Sequence, residues 1–83
     1  MKSSSHKEKK LNISGEADVA YAALDAKNYA KEIGFSNSDQ YMISTAVSEL
    51  ARNILVYAKK GTIYLKTIEE KSKKGVEVVA EDS

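Results

Sequence analysis

Behind its two helical stretches, the hydrophobic period of this chain switches from 3.6 to 2 at Gly61, and that switch limits the folds open to it. Upstream, apolar residues recur at helical spacing; downstream they alternate, as in a strand with one buried face. In EADVAYAALDAKNYAKEIGF (16–35), Val19, Ala23, Ala26, Ala30 and Ile33 mark one narrow, alanine-rich helix face. Ser14 or Asp18 can cap its start, and Gly34 suits the left-handed position past its end, with Phe35 folding back onto Tyr29 and Ala30. SNSD (36–39) opens a second helix, with Ser36 as N-cap and a stripe of Ile43, Ala46, Val47, Leu50, Ile54 and Tyr57. Lys59 and Lys60 suit its negative end, and Gly61 is expected to stop it.

After Gly61, TIYLKTIEE (62–70) sets Ile63 and Leu65 against Tyr64 and Lys66. KSKKG (71–75) reads as a charged turn, and VEVVAED (76–82) places Val76, Val78 and Ala80 on one face. The two runs predict an antiparallel hairpin. KKLNIS (9–14) alternates weakly and predicts a short edge strand. The expected order is therefore β-α-α-β-β, an α+β two-layer sandwich with no internal repeat. One edge of the hairpin is left unpaired in such a fold, so it is expected to be masked by self-association, as in a homodimer, or by the polar N-terminal arm.

Eighty-three residues allow one small domain with a marginal core. Thirteen basic against 12 acidic residues leave no electrostatic footprint for nucleic acid. Cysteine is absent, which removes disulfides and thiolate metal sites. The longest uncharged stretch, 40–48, is too short to span a bilayer. MKSSSHKEKK is polar and basic with no apolar segment behind it, so it is not a secretory signal, and the cytoplasm is the expected compartment. Residues 1–8 read as a flexible arm in which His6 is a solvated bystander, and 9–83 as the domain.

TAVSELARNILVYA (45–58) then raises a problem of its own. With Leu50 at zero on a wheel of ~100° per residue, Glu49 falls near about −100° and Asn53 near about −60°. Met42 lies between them, and Ala46 and Val56 lie close by. An unpaired buried amide costs roughly 1–3 kcal/mol and a lone carboxylate more. Two readings follow: Glu49 pairs with Arg52 and Asn53 caps a neighbouring loop, or the pair faces a polar cavity or a ligand.

SELARN followed by ILVYA resembles the N-box of the GHKL ATPase superfamily, which includes gyrase, heat-shock chaperone, histidine-kinase and mismatch-repair ATPase domains. The run from Asp18 to Asp82, 65 of the 83 residues, is similar to the protein-serine kinases of that superfamily, the anti-sigma and stressosome-type switch kinases. GFSNSDQYMISTAVSELARNILVYAKKGTIYL resembles the stressosome branch especially closely. A bare E-x-x-x-N is a weak signal; in this helix–helix–hairpin context it is a strong one. The resemblance implies the N-terminal half of a Bergerat-type, histidine-kinase-like ATPase domain using ATP and Mg²⁺. It implies that Asn53 ligates the magnesium, that Glu49 is the general base toward the attacking hydroxyl, and that Asp82 accepts a hydrogen bond from the adenine amino group. Tyr57 is either near the nucleotide or, more simply, a core tyrosine; Arg52 is either a phosphate contact or a surface arginine. The implied partner is an STAS-domain antagonist phosphorylated on serine, with regulation by exchange of partners. This is not a Walker-type site, since no G-x-x-x-x-G-K-[ST] run exists and the four glycines fall at expected element ends.

The match fails after Asp82, where the family continues with Gly-x-Gly, a lid and further strands, and this sequence has only Ser83. The expectation is a fragment or truncated reading frame whose affinity for ATP·Mg²⁺ is millimolar at best. Whether the chain is an enzyme is left open on these residues. The competing expectations are a catalytically inactive partner-binding module, docking through the first helix and Leu55, and a structural fragment with no role of its own.

Overall fold

A computed structural model describes residues 8–71 and 73–82, with the backbone alone at Glu70 and Asp82. His6 and all but the last residue of the expected arm lie outside the described residues. The elements are β1 (Glu8–Ile13), α1 (Glu16–Glu32), α2 (Asn37–Tyr57), β2 (Gly61–Glu70) and β3 (Lys73–Asp82). The order is β-α-α-β-β, as the change of period predicts, and the fold is α+β. All three strands are antiparallel in the order β1-β2-β3, and both helices pack on one face of the sheet.

Alternation decides which sheet face meets the helices. Leu11 and Ile13 of β1 and Ile63, Leu65 and Thr67 of β2 are buried, while Lys10, Lys66 and Glu77 are exposed. Register places Leu11 opposite Ile63, and Leu65 opposite Val78. Each fully buried branched side chain contributes about 1.5–3 kcal/mol relative to exposure. A one-residue slip of β2 would turn that whole set to solvent, so the pattern also fixes the register.

Alanines set the spacing of the two helices. Ala26 and Ala30 of α1 and Ala51 of α2 are fully buried, which lets the backbones approach closely. On α1 the buried face is Val19, Ala22, Ala26, Tyr29 and Ala30, with Ala23 and Ile33 only partly covered. The expected stripe is thus turned slightly toward Tyr29, whose hydroxyl lies 2.7 Å from Thr67 Oγ1 and ties α1 to β2. Both groups are buried, and the bond satisfies what each would otherwise lose on leaving water.

The stripe expected on α2 needs a larger correction. Its buried residues are Gln40, Val47, Ala51 and Ile54, while Ala46 and Tyr57 are exposed. The helix touches both α1 and the sheet, so its covered arc centres between Val47 and Ala51. Leu55, expected to project outward, packs half-buried against the core. Gln40 is satisfied through Nε2, which donates to the Phe35 carbonyl at 2.8 Å.

The helix ends follow sequence signals at three of four places. Asp18 accepts from the Ser14 and Gly15 backbone N–H groups at 2.8 and 3.1 Å, so the acid and not Ser14 closes the start of α1. Gly34 takes φ 98°, and Phe35 and Gly34 donate back to Ala30 and Lys31, a Schellman closure. Lys74 Nζ adds a 2.7 Å bond to the Ile33 carbonyl. Ser36 Oγ accepts from Asp39 N–H at 3.2 Å to open α2.

The fourth end departs from expectation. Gly61 does not stop α2; it is the buried first residue of β2, opposite Ile13 and Asp82. The left-handed position falls on Lys59, at φ 72°. A side chain there costs about 1–2 kcal/mol, offset in part by the extra unfolded-state entropy glycine carries. Lys59→Gly is therefore expected to stabilise the chain by about 0.5–1 kcal/mol, raising Tm by about 2–8 °C in thermal melts. An unchanged or lowered Tm would contradict that backbone assignment.

The hairpin turn is also shorter than KSKKG. Pairing runs to Glu70 and resumes at Lys73, which sets Glu69 opposite Lys74 and Glu70 opposite Lys73. Glu69 and Lys74, of opposite charge, face one another and favour extending the ladder, and Gly75 becomes an interior residue of β3.

Candidate functional site on helix α2

Turning the covered arc of α2 toward Val47 and Ala51 leaves a long strip of the same helix in solvent. Met42, Ala46, Glu49, Asn53, Val56 and Tyr57 all lie on it and are exposed. The polar pair therefore does not intrude on the core. Glu49 and Asn53 are one turn apart on this open face, with exposed apolar side chains on either side. The reading in which Glu49 pairs with Arg52 and Asn53 caps a loop does not hold: among the described residues, no side-chain hydrogen bond or ion pair engages Glu49, Asn53 or Arg52. Unpartnered polar groups in water carry no burial cost, so the fold does not need this acid or this amide for its own stability.

The two side chains differ in their surroundings. Glu49 borders a shallow, open, mostly apolar groove lined by Tyr41, Met42, Thr45 and Ala46. Asn53 is not among that groove's lining residues. Tyr57 is 83% exposed, which rules out the core role the sequence allowed for it. Arg52 is exposed on α2, about 80° round the helix from Met42.

Backbone topology brings the third candidate to the same end of the molecule. Asp82 pairs with Gly61, the residue that opens β2 just after α2 ends at Tyr57. Asn53 lies one turn and Glu49 two turns back along the helix from that end, about 6 and 12 Å along its axis. The Asp82 side chain lies outside the described residues.

What this surface can do alone is limited and specific. No group of three or more His, Cys, Asp and Glu side chains suited to a metal ion occurs among the described residues. A hard cation arriving with its own phosphate and water ligands needs less: one amide oxygen suffices as the protein's contribution. Asn53 has that oxygen uncommitted, and Glu49 has an uncommitted carboxylate on the same face. The donor chemistry therefore fits a phosphate-bound magnesium ion, and the described residues form an open surface around it with no enclosure. The outer face of the sheet is a second polar surface, where Tyr64 donates to Glu81 Oε1 at 3.3 Å. The Glu81 charge holds that phenol above its ordinary pKa.

Sequence reasoning missed Tyr41 as a neighbour of Glu49. The wheel gave a signal for Met42, which falls between Glu49 and Asn53, but not for Tyr41, which lies farther round the helix. No helix among the described residues is long and apolar enough to cross a membrane.

No protein-family model matches the chain, and no solved structure does. Over 72 residues the chain is 46% identical to the serine/threonine-protein kinase RsbT of Bacillus subtilis (strain 168), a match that covers 87% of the chain and 54% of that protein. The chain thus spans about half the length of this relative. Identity at that level over 72 residues is more than one short motif can supply. The resemblance drawn from the N-box is borne out: across most of its own length, this chain is a relative of a serine/threonine-protein kinase.

Proposed function

We propose that this chain carries the N-box part of a GHKL-type protein-serine kinase of the anti-sigma, partner-switching kind, acting in the cytoplasm. The observation that carries the reading is the uncommitted Glu49–Asn53 pair on the exposed face of α2, in a chain 46% identical to a serine/threonine kinase. In this reading the Asn53 amide oxygen holds the Mg²⁺ that accompanies ATP, and Asp82 accepts a hydrogen bond from the adenine amino group. Held there, the ion would supply the positive charge that offsets the charge developing on a transferring phosphoryl group. Glu49 accepts the proton of the attacking serine hydroxyl; as an exposed carboxylate with no competing cation it is free to do so. One helical turn keeps base and ligand near a single phosphoryl group, and positioning of that kind accounts for most of the catalysis in a loose transition state. The substrate serine in this reading belongs to an STAS-domain antagonist.

The open geometry sets the expected strength. With one wall of a pocket, ATP·Mg²⁺ is held by few contacts, and its affinity for the 83-residue chain is millimolar. Titration of ¹⁵N-labelled protein with ATP·Mg²⁺ is expected to shift amide signals from Glu49 to Tyr57, and Asn53→Ala to abolish those shifts while the remaining spectrum is preserved. Shifts that persist in Asn53→Ala, or that appear only elsewhere, would contradict the assignment.

A second reading is favoured by a different observation: Tyr41, Met42, Val56 and Tyr57 are exposed by 64–83% along one helix. Such a strip suits an inactive module that binds a protein partner without nucleotide. Capture of an STAS-domain protein that is indifferent to ATP would favour it.

A further inference from the structure

Glu49 divides its face of α2 into two ends with different surroundings. Asn53 lies one turn C-terminal of it, about 6 Å along the axis and about 40° round the helix. On the other side come Ala46, Thr45 and Met42, about 5–10 Å back along the axis, with Met42 within about 20° of the Glu49 line. All of them belong to one continuous helix, Asn37–Tyr57, so α2 alone fixes their order. The groove that Glu49 borders lies wholly on this N-terminal side, between Tyr41, Met42, Thr45 and Ala46.

In-line phosphoryl transfer gives that order a direction. The attacking and leaving oxygens stand on opposite sides of the transferring phosphorus. The serine oxygen bonds to the terminal phosphorus of ATP, and the bond from that phosphorus to the bridging oxygen breaks, its electron pair leaving on ADP. The hydroxyl proton passes to Glu49. With the leaving side set by the metal ligand Asn53, the serine approaches from the side of Glu49 that faces away from Asn53. That path crosses the groove. Its volume is about 250 Å³, below the roughly 300–1,000 Å³ of pockets that enclose a small-molecule ligand. Mostly apolar walls of that size suit one or two apolar side chains, and the Glu49 charge disfavours an acid there.

We propose that this groove seats an apolar side chain flanking the phosphorylated serine of the protein substrate, with Met42 as its main contact. The proposal rests on the kinase reading of Glu49 and Asn53 and adds to it a substrate preference: an apolar neighbour to the serine, and not an acidic one. Methionine suits such a seat, because its unbranched side chain adapts to the shape it meets.

Two matched positions test the direction. Met42 and Val56 stand about two turns to either side of Glu49 on the same face, and they are 64% and 68% exposed. The chain has no cysteine, so Met42→Cys and Val56→Cys each carry one thiol for a short-range photocrosslinker. Each is irradiated with the protein substrate of the Bacillus subtilis relative and a non-hydrolysable ATP analogue with Mg²⁺. Capture of the substrate is expected to be at least about tenfold greater from position 42, because docking raises the local concentration there.

Kinetics give the second readout, in a chimera that carries this chain in place of the 72 matching residues of the relative. Met42→Ala is expected to raise KM for the protein substrate about tenfold and Met42→Leu to restore it, with KM for ATP unmoved. Glu49→Gln tests the underlying reading and acts on kcat instead. Capture at position 56 equal to that at 42, capture of a second copy of the chain in place of the substrate, or an unmoved KM in Met42→Ala of a chimera that Glu49→Gln disables would overturn the proposal and leave the kinase reading standing. A chimera that Glu49→Gln does not slow overturns that reading first, and the proposal with it.

Discussion

Leu65→Ala is expected to leave most of the chain unfolded at physiological temperature. Leu65 is completely buried in the middle of the central strand, opposite Val78 and within the cluster that joins Ile63, Val47 and Ala51. Truncating a buried leucine costs about 3–5 kcal/mol, the sum of lost transfer energy and a cavity the surroundings only partly close. A domain of this length has a stability of about 4–12 kcal/mol, and the smallest cores fall at the lower end. One substitution thus removes much or all of the margin. Leu24→Ala is the control: Leu24 is 55% exposed on α1, and its loss should stay within about 0.5 kcal/mol. Circular dichroism melts of both variants decide the matter. A Leu65→Ala chain melting within a few degrees of its parent would mean that the core does not lie between the helices and β2.

The fold was largely legible because its signals are local and redundant. The change of period at Gly61, the Ser36 cap and the Gly34–Phe35 closure each point to the same order of elements, and each appears in the structure. The strand faces were legible too, since alternation leaves one choice once Ile63 and Leu65 are placed. The covered face of α2 was not. Ala46 and Tyr57 on one side and Ala51 on the other are all compatible with burial, and a wheel does not say where α1 and the sheet will lie. That error propagated to the site, because a polar pair beside a misplaced stripe reads as partly buried. In the structure Glu49 and Asn53 are simply exposed. Lys59 shows the other limit of sequence reading: nothing in the identity of a lysine announces a left-handed backbone, and the nearby glycine drew the expectation to itself.

The corrected position of the pair changes the physical argument for function and leaves its chemistry in place. A buried acid and amide would have required partners; an exposed pair requires none, so burial no longer argues for a ligand. What supports the kinase reading is the uncommitted state of both groups on one turn of α2, together with relatedness to a kinase over 87% of the chain. The apolar side chains beside them, Met42 and Val56 above all, are the kind of surface that further contacts would cover.

The most direct measurement of that central claim is phosphate transfer by a chimera. The 72 matching residues of the Bacillus subtilis relative are replaced by those of this chain, and transfer from ATP to the relative's own protein substrate is followed. The account predicts a working kinase that loses activity by about 10²–10⁴-fold in Glu49→Gln, the usual contribution of a general base, with ATP binding largely unchanged. A folded, active chimera in which Glu49→Gln transfers phosphate at the parent rate would contradict it.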